Sequence, residues 1–158
     1  VTPAIIAARR AGVAHEVLAY RHDPAVAAYG LEAAHALGLD PESVYKTLVV
    51  ESGPRAWALG LVAVDTQLDL KAMATALGVR RVDMADPQVA ERLTGYVVGG
   101  ISPLGQRRRL PTVIDERVML LPRVHVSAGR RGLEIALAPA DLVAATGATL
   151  ATLARASG

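Results

Sequence analysis

The longest apolar run in the chain is WALGLVAV, Trp57 to Val64. Eight apolar residues make a strand, far short of the roughly 20 that a bilayer-spanning helix needs. Its lack of polar alternation predicts a strand buried on both faces. The material around it must be aliphatic: hydrophobic residues make up 52% of 158 residues, with no Phe and one Trp. That length and fraction fit one compact domain over 1–158 with a substantial core. The start, VTPAIIAARRAG, lacks the charged-then-apolar order of a secretory signal, so a cytoplasmic protein with no membrane partner is expected.

The absence of cysteine excludes disulfides, thiolate nucleophiles and the usual zinc sites. His15, His22, His35 and His125 fall into no metal-ligand spacing, so neither a metal nor a cofactor is expected. His22, in RHDP, reads as a turn histidine bonded locally. The formal net charge is only +2, but the basic residues come in clusters, Arg9-Arg10, Arg80-Arg81, Arg107-Arg108-Arg109 and Arg130-Arg131. Such clusters are commonly solvated surface. Where several converge they make a phosphate-binding face, because guanidinium pairs bidentately with phosphate.

Thr2, Pro3 and Gly12 bracket a first helix, followed by a strand over Ala14 to Tyr20. DPAVAAYGLEAAHALG predicts a second helix, and Asp40-Pro41 a short turn before the strand YKTLVV. DLKAMATALG and the segment opened by Asp86-Pro87 predict two more helices. Beyond Gly95 the texture changes. GYVVGG, PTVIDE, VMLLP, VHVSAG and GLEIALAP are short strand-like pieces at the spacing of an antiparallel meander, with ADLVAATG and TLATLARA as closing helices. The class implied is α+β with a mixed, strongly curved sheet.

Two features stand out chemically. Lys46 is one of only two lysines among 17 basic residues, and strand alternation puts it on one face with Val44, Leu48 and Val50. A compact ammonium on a flexible stem enters a narrow pocket that a planar guanidinium cannot fill. A strand-edge lysine snorkelling to solvent is the plain alternative. The second feature is GYVVGGISPLGQRRRLP, Gly95 to Pro111. No G-K-[ST] follows, which rejects a P-loop, and Ser102 lies in G-I-S-P-L-G, which rejects a nucleophile elbow. What remains is a rigid loop of backbone donors suited to a carbonyl or oxyanion, or else an elaborate turn.

YRHDP, VYKTL, QLDLK, MADP, TGYVVGGISPLGQRRRLPTVID and VSAGRRGLEI, in this order, closely resemble the YbaK/EbsC family of trans-acting aminoacyl-tRNA deacylases. These are relatives of the editing domain of bacterial prolyl-tRNA synthetases, and the resemblance covers essentially the whole chain. It implies a single editing domain, a mixed, barrel-like β-sheet flanked by helices, hydrolysing mischarged Cys-tRNA(Pro). Lys46 matches the lysine that binds the substrate's 3′ end. Gly99, Gly100, Ile101, Ser102 and Pro103 match the loop whose backbone contacts the aminoacyl group. Tyr20, Tyr29, Thr47 and Ser127 match pocket positions. Glu134 falls where the family has Asp, one methylene shorter; a solvent-facing acid paired with Arg130 or Arg131 is the alternative. Arg107, Arg108 and Arg109, with Arg130 and Arg131, are expected on the tRNA backbone, and Tyr20 and Tyr29 are candidates for holding the terminal adenine.

In the family the substrate's own thiol attacks its ester, which suits a protein with no activated nucleophile of its own. The tRNA(Pro) acceptor end is the expected partner, and prolyl-tRNA synthetase a second one. Two other readings stay open: a non-catalytic nucleotide or tRNA-end binder, and a deacylase for another small amino acid such as Ala or Ser.

Overall fold

The computed structural model describes residues 1–26 and 28–157. From the N-terminus the polypeptide forms α1 (Pro3–Ala11), β1 (His15–Ala19), α2 (Tyr29–Leu37), a 3-10 turn (Pro41–Ser43), β2 (Tyr45–Gly53), β3 (Ala56–Ala63), β4 (Thr66–Leu68) and α3 (Leu70–Leu77). There follow β5 (Asp83–Met84), α4 (Pro87–Thr94), β6 (Thr112–Asp115), a 3-10 helix (Glu116–Leu120), β7 (Val124–Arg130), β8 (Leu133–Leu137), α5 (Pro139–Thr146), β9 (Thr149–Ala151) and β10 (Ala154–Ala156).

β3 is the central strand of a five-stranded mixed sheet ordered β5-β2-β3-β6-β9, antiparallel to β2 and parallel to β6. Its unbroken apolar run is explained by what covers each face. Leu59 and Leu61 join Ile114, Val126 and Ile135 in the larger core cluster, while Ala58 and Val62 pack with Met73, Val113 and Leu153 in a second. A three-stranded antiparallel sheet, β1-β8-β7, meets the edge of β2 at a parallel bridge between Val44 and His125. β4 and β10 form a separate ribbon. The architecture is α+β, as the sequence implies; among the described residues the strands form three sheets rather than one closed barrel.

Four local expectations are corrected. The second helix begins at Tyr29 rather than Asp23, because Asp23 turns back on itself, its Oδ1 accepting from the Ala25 N–H; Ala27, within that expected helix, lies outside the described residues. GYVVGG is a turn, not a strand: Gly95 caps α4 at φ +80° and Gly99 sits at φ +92°, in the left-handed region that breaks an extended run. VMLLP is 3-10 rather than extended because Asp115 caps it, Oδ1 accepting from the Arg117 N–H. TLATLARA forms β9 and β10 instead of a helix. The other oxygen of Asp115 takes the N–H groups of Leu153 and Ala154, and Leu153 is fully buried. Tertiary contacts there override helical propensity. The expected meander is also interrupted: β7 and β8 form a hairpin, but β6 lies parallel between β3 and β9.

Candidate active site

A cavity of about 480 Å³ opens where the edge of β2, the N-terminal turn of α2, the Gly99 loop and the β7–β8 hairpin meet. Lys46, Thr47, Tyr20, Tyr29, Ser127, Glu134, Gly99 and Ile101 all line it. Residues separated by more than a hundred positions, on six different segments, are therefore brought to one hollow.

Lys46 is half-buried, and its Nζ donates to the Thr66 carbonyl at 2.7 Å. Burial holds the ammonium below its ordinary pKa, against the pull of nearby Asp65. Its strand neighbours Leu48 and Val50 pack on the α3 side of the sheet, so the lysine leaves an apolar face by reaching along it to the cavity. Glu134 reaches the same cavity from β8 and is only 6% exposed. Among the described residues it makes no ion pair, so pairing with Arg130 or Arg131 does not occur, and burial pushes its carboxyl up to about 8. Beside it, burial raises the Tyr20 phenol, partly offset by a backbone bond at Gly132 and reinforced by the Glu134 and Glu32 carboxylates. Thr47 is 9% exposed, and its Oγ1 has no partner among the described residues. Buried polar atoms are nearly always satisfied. The Thr47 hydroxyl is closed off without a partner, while the Glu134 carboxyl stands unpaired in the lining of the hollow, where a polar ligand would offset the cost of its burial.

The glycine loop divides in two. Gly99 and Ile101 face the cavity, whereas Ser102 is fully buried, its Oγ accepting from the Leu104 N–H. Gly100 spends its N–H on the Val97 carbonyl at 2.8 Å. Pro103 lines a second cavity, of about 280 Å³, on the far side of the loop. The glycines are needed first for packing: a Cβ on Gly99 would lie 2.5 Å from the Tyr29 ring, and one on Gly100 would lie 2.7 Å from the Arg130 Cα. Arg131 fastens the loop. Its guanidinium donates to the Val98 carbonyl at 3.2 and 2.6 Å and stacks over the Tyr29 ring at 4.1 Å. Because backbone atoms cannot yield as a flexible side group does, Gly100→Ala is expected to cost about 1–3 kcal/mol. Denaturant unfolding measures it.

The other arginines are not gathered at the cavity. Arg107 donates to the Arg92 carbonyl at the end of α4, Arg108 lies 5.7 Å over the Trp57 ring, and the Arg109 guanidinium lies against Gly147 at the end of α5. All three are exposed, as is Arg130. His22 is anchored locally, Nδ1 to Glu32 at 2.7 Å, in the turn that precedes Tyr29. No described group of three or more His, Cys, Asp or Glu residues could hold a metal, and no described helix is long and apolar enough to cross a membrane.

Sequence reading missed Val98, whose carbonyl fixes the loop to Arg131, and Gln67, Met84 and Ala85, which complete the cavity wall. Gln67 carried a usable signal as the first residue of QLDLK. Val98, Met84 and Ala85 carried the same kind of signal, in TGYVVGG and MADP, but only the pairing of β5 with β2 shows that Met84 and Ala85 reach the cavity.

The aminoacyl-tRNA editing domain family matches residues 23–145, and the chain belongs to that family. It is 33% identical over 120 residues to the Enterococcus faecalis protein described as "Putative Cys-tRNA(Pro)/Cys-tRNA(Cys) deacylase EbsC", covering 76% of this chain and 73% of that one. It is 30% identical over 91 residues to the Escherichia coli multifunctional Ser/Thr-tRNA deacylase ProXp-y, covering 57% of this chain and 54% of that one. A solved structure titled "Crystal structure of a putative trans-editing enzyme for prolyl tRNA synthetase" superposes with a TM-score of 0.82 at 29% identity, over 97% of this chain and 95% of that one.

Proposed function

We propose that this protein is a trans-acting deacylase that cleaves the ester of mischarged Cys-tRNA(Pro). The observation that carries the reading is the charge layout of the cavity. An ammonium and a carboxyl line one hollow without pairing to each other, and an unsatisfied hydroxyl lies on the same strand as the ammonium. An aminoacylated 3′ nucleotide carries the matching groups, an anionic sugar-phosphate and an α-ammonium. Lys46 takes the ribose-phosphate side, and Glu134 with Tyr20 takes the amino group. Thr47 and Ser127 bound the side-chain pocket, and Gly99 and Ile101 supply the loop's backbone beside the ester.

The nucleophile comes from the substrate. The protein has no cysteine, no histidine is among the described residues that line the cavity, and the Ser127 Oγ accepts from the Gly129 N–H. The cysteine sulfur attacks its own carbonyl carbon, the carbon–oxygen bond to the ribose breaks, and the thiol proton passes to the departing ribose oxygen. Water then opens the cyclic thiolactone. Holding both ends of the substrate makes such an intramolecular attack efficient. The exposed Arg107, Arg108, Arg109 and Arg130 are placed to meet acceptor-stem phosphates, with salt-sensitive affinity. Arg131, committed to Val98 and Tyr29, keeps the loop in position instead. Prolyl-tRNA synthetase is the proposed source of tRNA selectivity, and a cytoplasmic location follows from that role.

Incubation with Cys-, Ala-, Ser-, Thr- and Pro-tRNA(Pro) tests this. Loss of the cysteinyl ester should be fastest, and blocking its thiol should abolish it. Faster loss of the Ser, Thr or Ala ester with release of free amino acid would assign water as nucleophile and another substrate. Turnover of none of them would leave a binding module.

A further inference from the structure

Five consecutive residues of β2, Tyr45 to Val49, line the main cavity. Neighbouring strand residues point to opposite faces, so a hollow that touches all five runs along the strand's edge and meets its backbone. The pairing register states which groups it meets. The Val64 N–H donates to the Val44 carbonyl, and Val44 is followed by the pairs Lys46–Val62 and Leu48–Gly60. Antiparallel bonding alternates, so Val44, Lys46 and Leu48 direct their N–H and C=O groups at β3. Tyr45, Thr47 and Val49 direct theirs outward. The bond from the Ala85 N–H to the Val49 carbonyl, at 3.0 Å, agrees with that parity.

On the outward edge, strand pairing is confined to the bridge at Val44 and to Val50–Glu51 against β5. Between them, among the described residues, no strand pairs with the edge at Thr47. Backbone donors and acceptors are obligatory bonding groups, and an open edge is a template for whatever presents the complementary pattern. Here the edge opens into a hollow of about 480 Å³ rather than onto a flat surface, so a small ligand fits it.

We propose that the open edge of β2 around Thr47 reads the adenine of the substrate's terminal nucleotide, a strand carbonyl accepting from the 6-amino group and the Thr47 N–H donating to a ring nitrogen. Adenine offers a 6-amino donor beside a ring-nitrogen acceptor on both its Watson–Crick and Hoogsteen edges. A strand edge offers the reverse pair at similar spacing. Scarce aromatics point the same way: with four Tyr, one Trp and no Phe, stacking is a limited means of holding a base. Tyr29 is already stacked on Arg131.

This rests on the proposed function for the identity of the nucleotide, and the test separates the two. AMP and IMP are titrated into isotope-labelled protein. IMP carries an oxygen in place of the 6-amino group, so it confronts the strand carbonyl with a second acceptor. AMP should shift the Thr47 amide resonance and bind at least about tenfold more tightly than IMP. In parallel, substrate ending in inosine should lose about tenfold or more in kcat/KM against the same tRNA ending in adenosine. Equal binding of the two nucleotides, or an unmoved Thr47 amide at saturating AMP, overturns the assignment. Selective AMP binding without cleavage of any aminoacyl-tRNA would uphold it and sink the deacylase reading instead.

Discussion

Lys46→Ala is expected to lower kcat/KM for Cys-tRNA(Pro) by about 10²- to 10³-fold, the scale on which one preorganised cationic or hydrogen-bonding group acts at a reacting centre. The circular-dichroism spectrum should not change. The stability cost is small because the amine is half-buried and makes one hydrogen bond, to the Thr66 carbonyl. Lys46→Arg should fail nearly as badly. A planar guanidinium seeks two in-plane acceptors, whereas Lys46 Nζ meets a single one, the Thr66 carbonyl. Near-normal turnover by either variant would remove Lys46 from the site.

Glu134→Gln should produce the second-largest effect, about 10²-fold, and leave a signature in pH. Its carboxyl titrates at about 8 in the folded protein because burial disfavours the charge. The ordinary value is near 4.5, so between these limits the folded state holds a proton that the unfolded polypeptide has lost. Stability is therefore full below about 4.5 and falls as pH rises toward 8, by up to about 1.4 kcal/mol per unit. Glutamine mimics the neutral acid and cannot ionise, so the variant should unfold at higher denaturant than the parent at pH 8, and the difference should close as pH falls below about 4.5. Its activity should suffer in the opposite sense. In the parent, kcat/KM should climb toward pH 8 as the empty site's carboxyl ionises, in addition to the climb that ionisation of the substrate thiol gives; in Glu134→Gln the first part should be lost and only the thiol's part remain. A variant with unchanged rate and pH profile would make Glu134 a bystander.

Much of this was legible in the residues. Thr2-Pro3, Asp69 and Asp86-Pro87 mark helix starts through side-chain caps that the structure contains, and WALGLVAV marks the central strand. What the residues could not reveal is the outcome where tertiary contacts outvote local preference. Asp115 ties down the N–H groups of Leu153 and Ala154, at the start of β10, from 38 and 39 positions away, and nothing near TLATLARA announces it. The same holds at the site. Lys46 and Glu134 were visible as unusual residues, but Glu134 also reads as a surface acid until β8 is set between β1 and β7 and the residue is buried. The glycine pair was visible as a loop that something approaches closely. That the nearest approach comes from Tyr29, Arg131 and the Arg130 backbone depends on a hairpin thirty residues further on. The open edge of β2 has no sequence signal, because an unpaired edge is a property of neighbours.

The central claim is that the ammonium of Lys46 and the carboxyl of Glu134 grip opposite ends of one aminoacyl-nucleotide. A crystal structure with a 3′-aminoacylamido analogue of AMP, whose amide resists cleavage, tests it directly. The expected result is a ligand in the 480 Å³ cavity with its ribose-phosphate on Lys46 Nζ and its amino group on Glu134. An analogue seated in the cavity behind Pro103, or one whose amino group points away from Glu134, would contradict it.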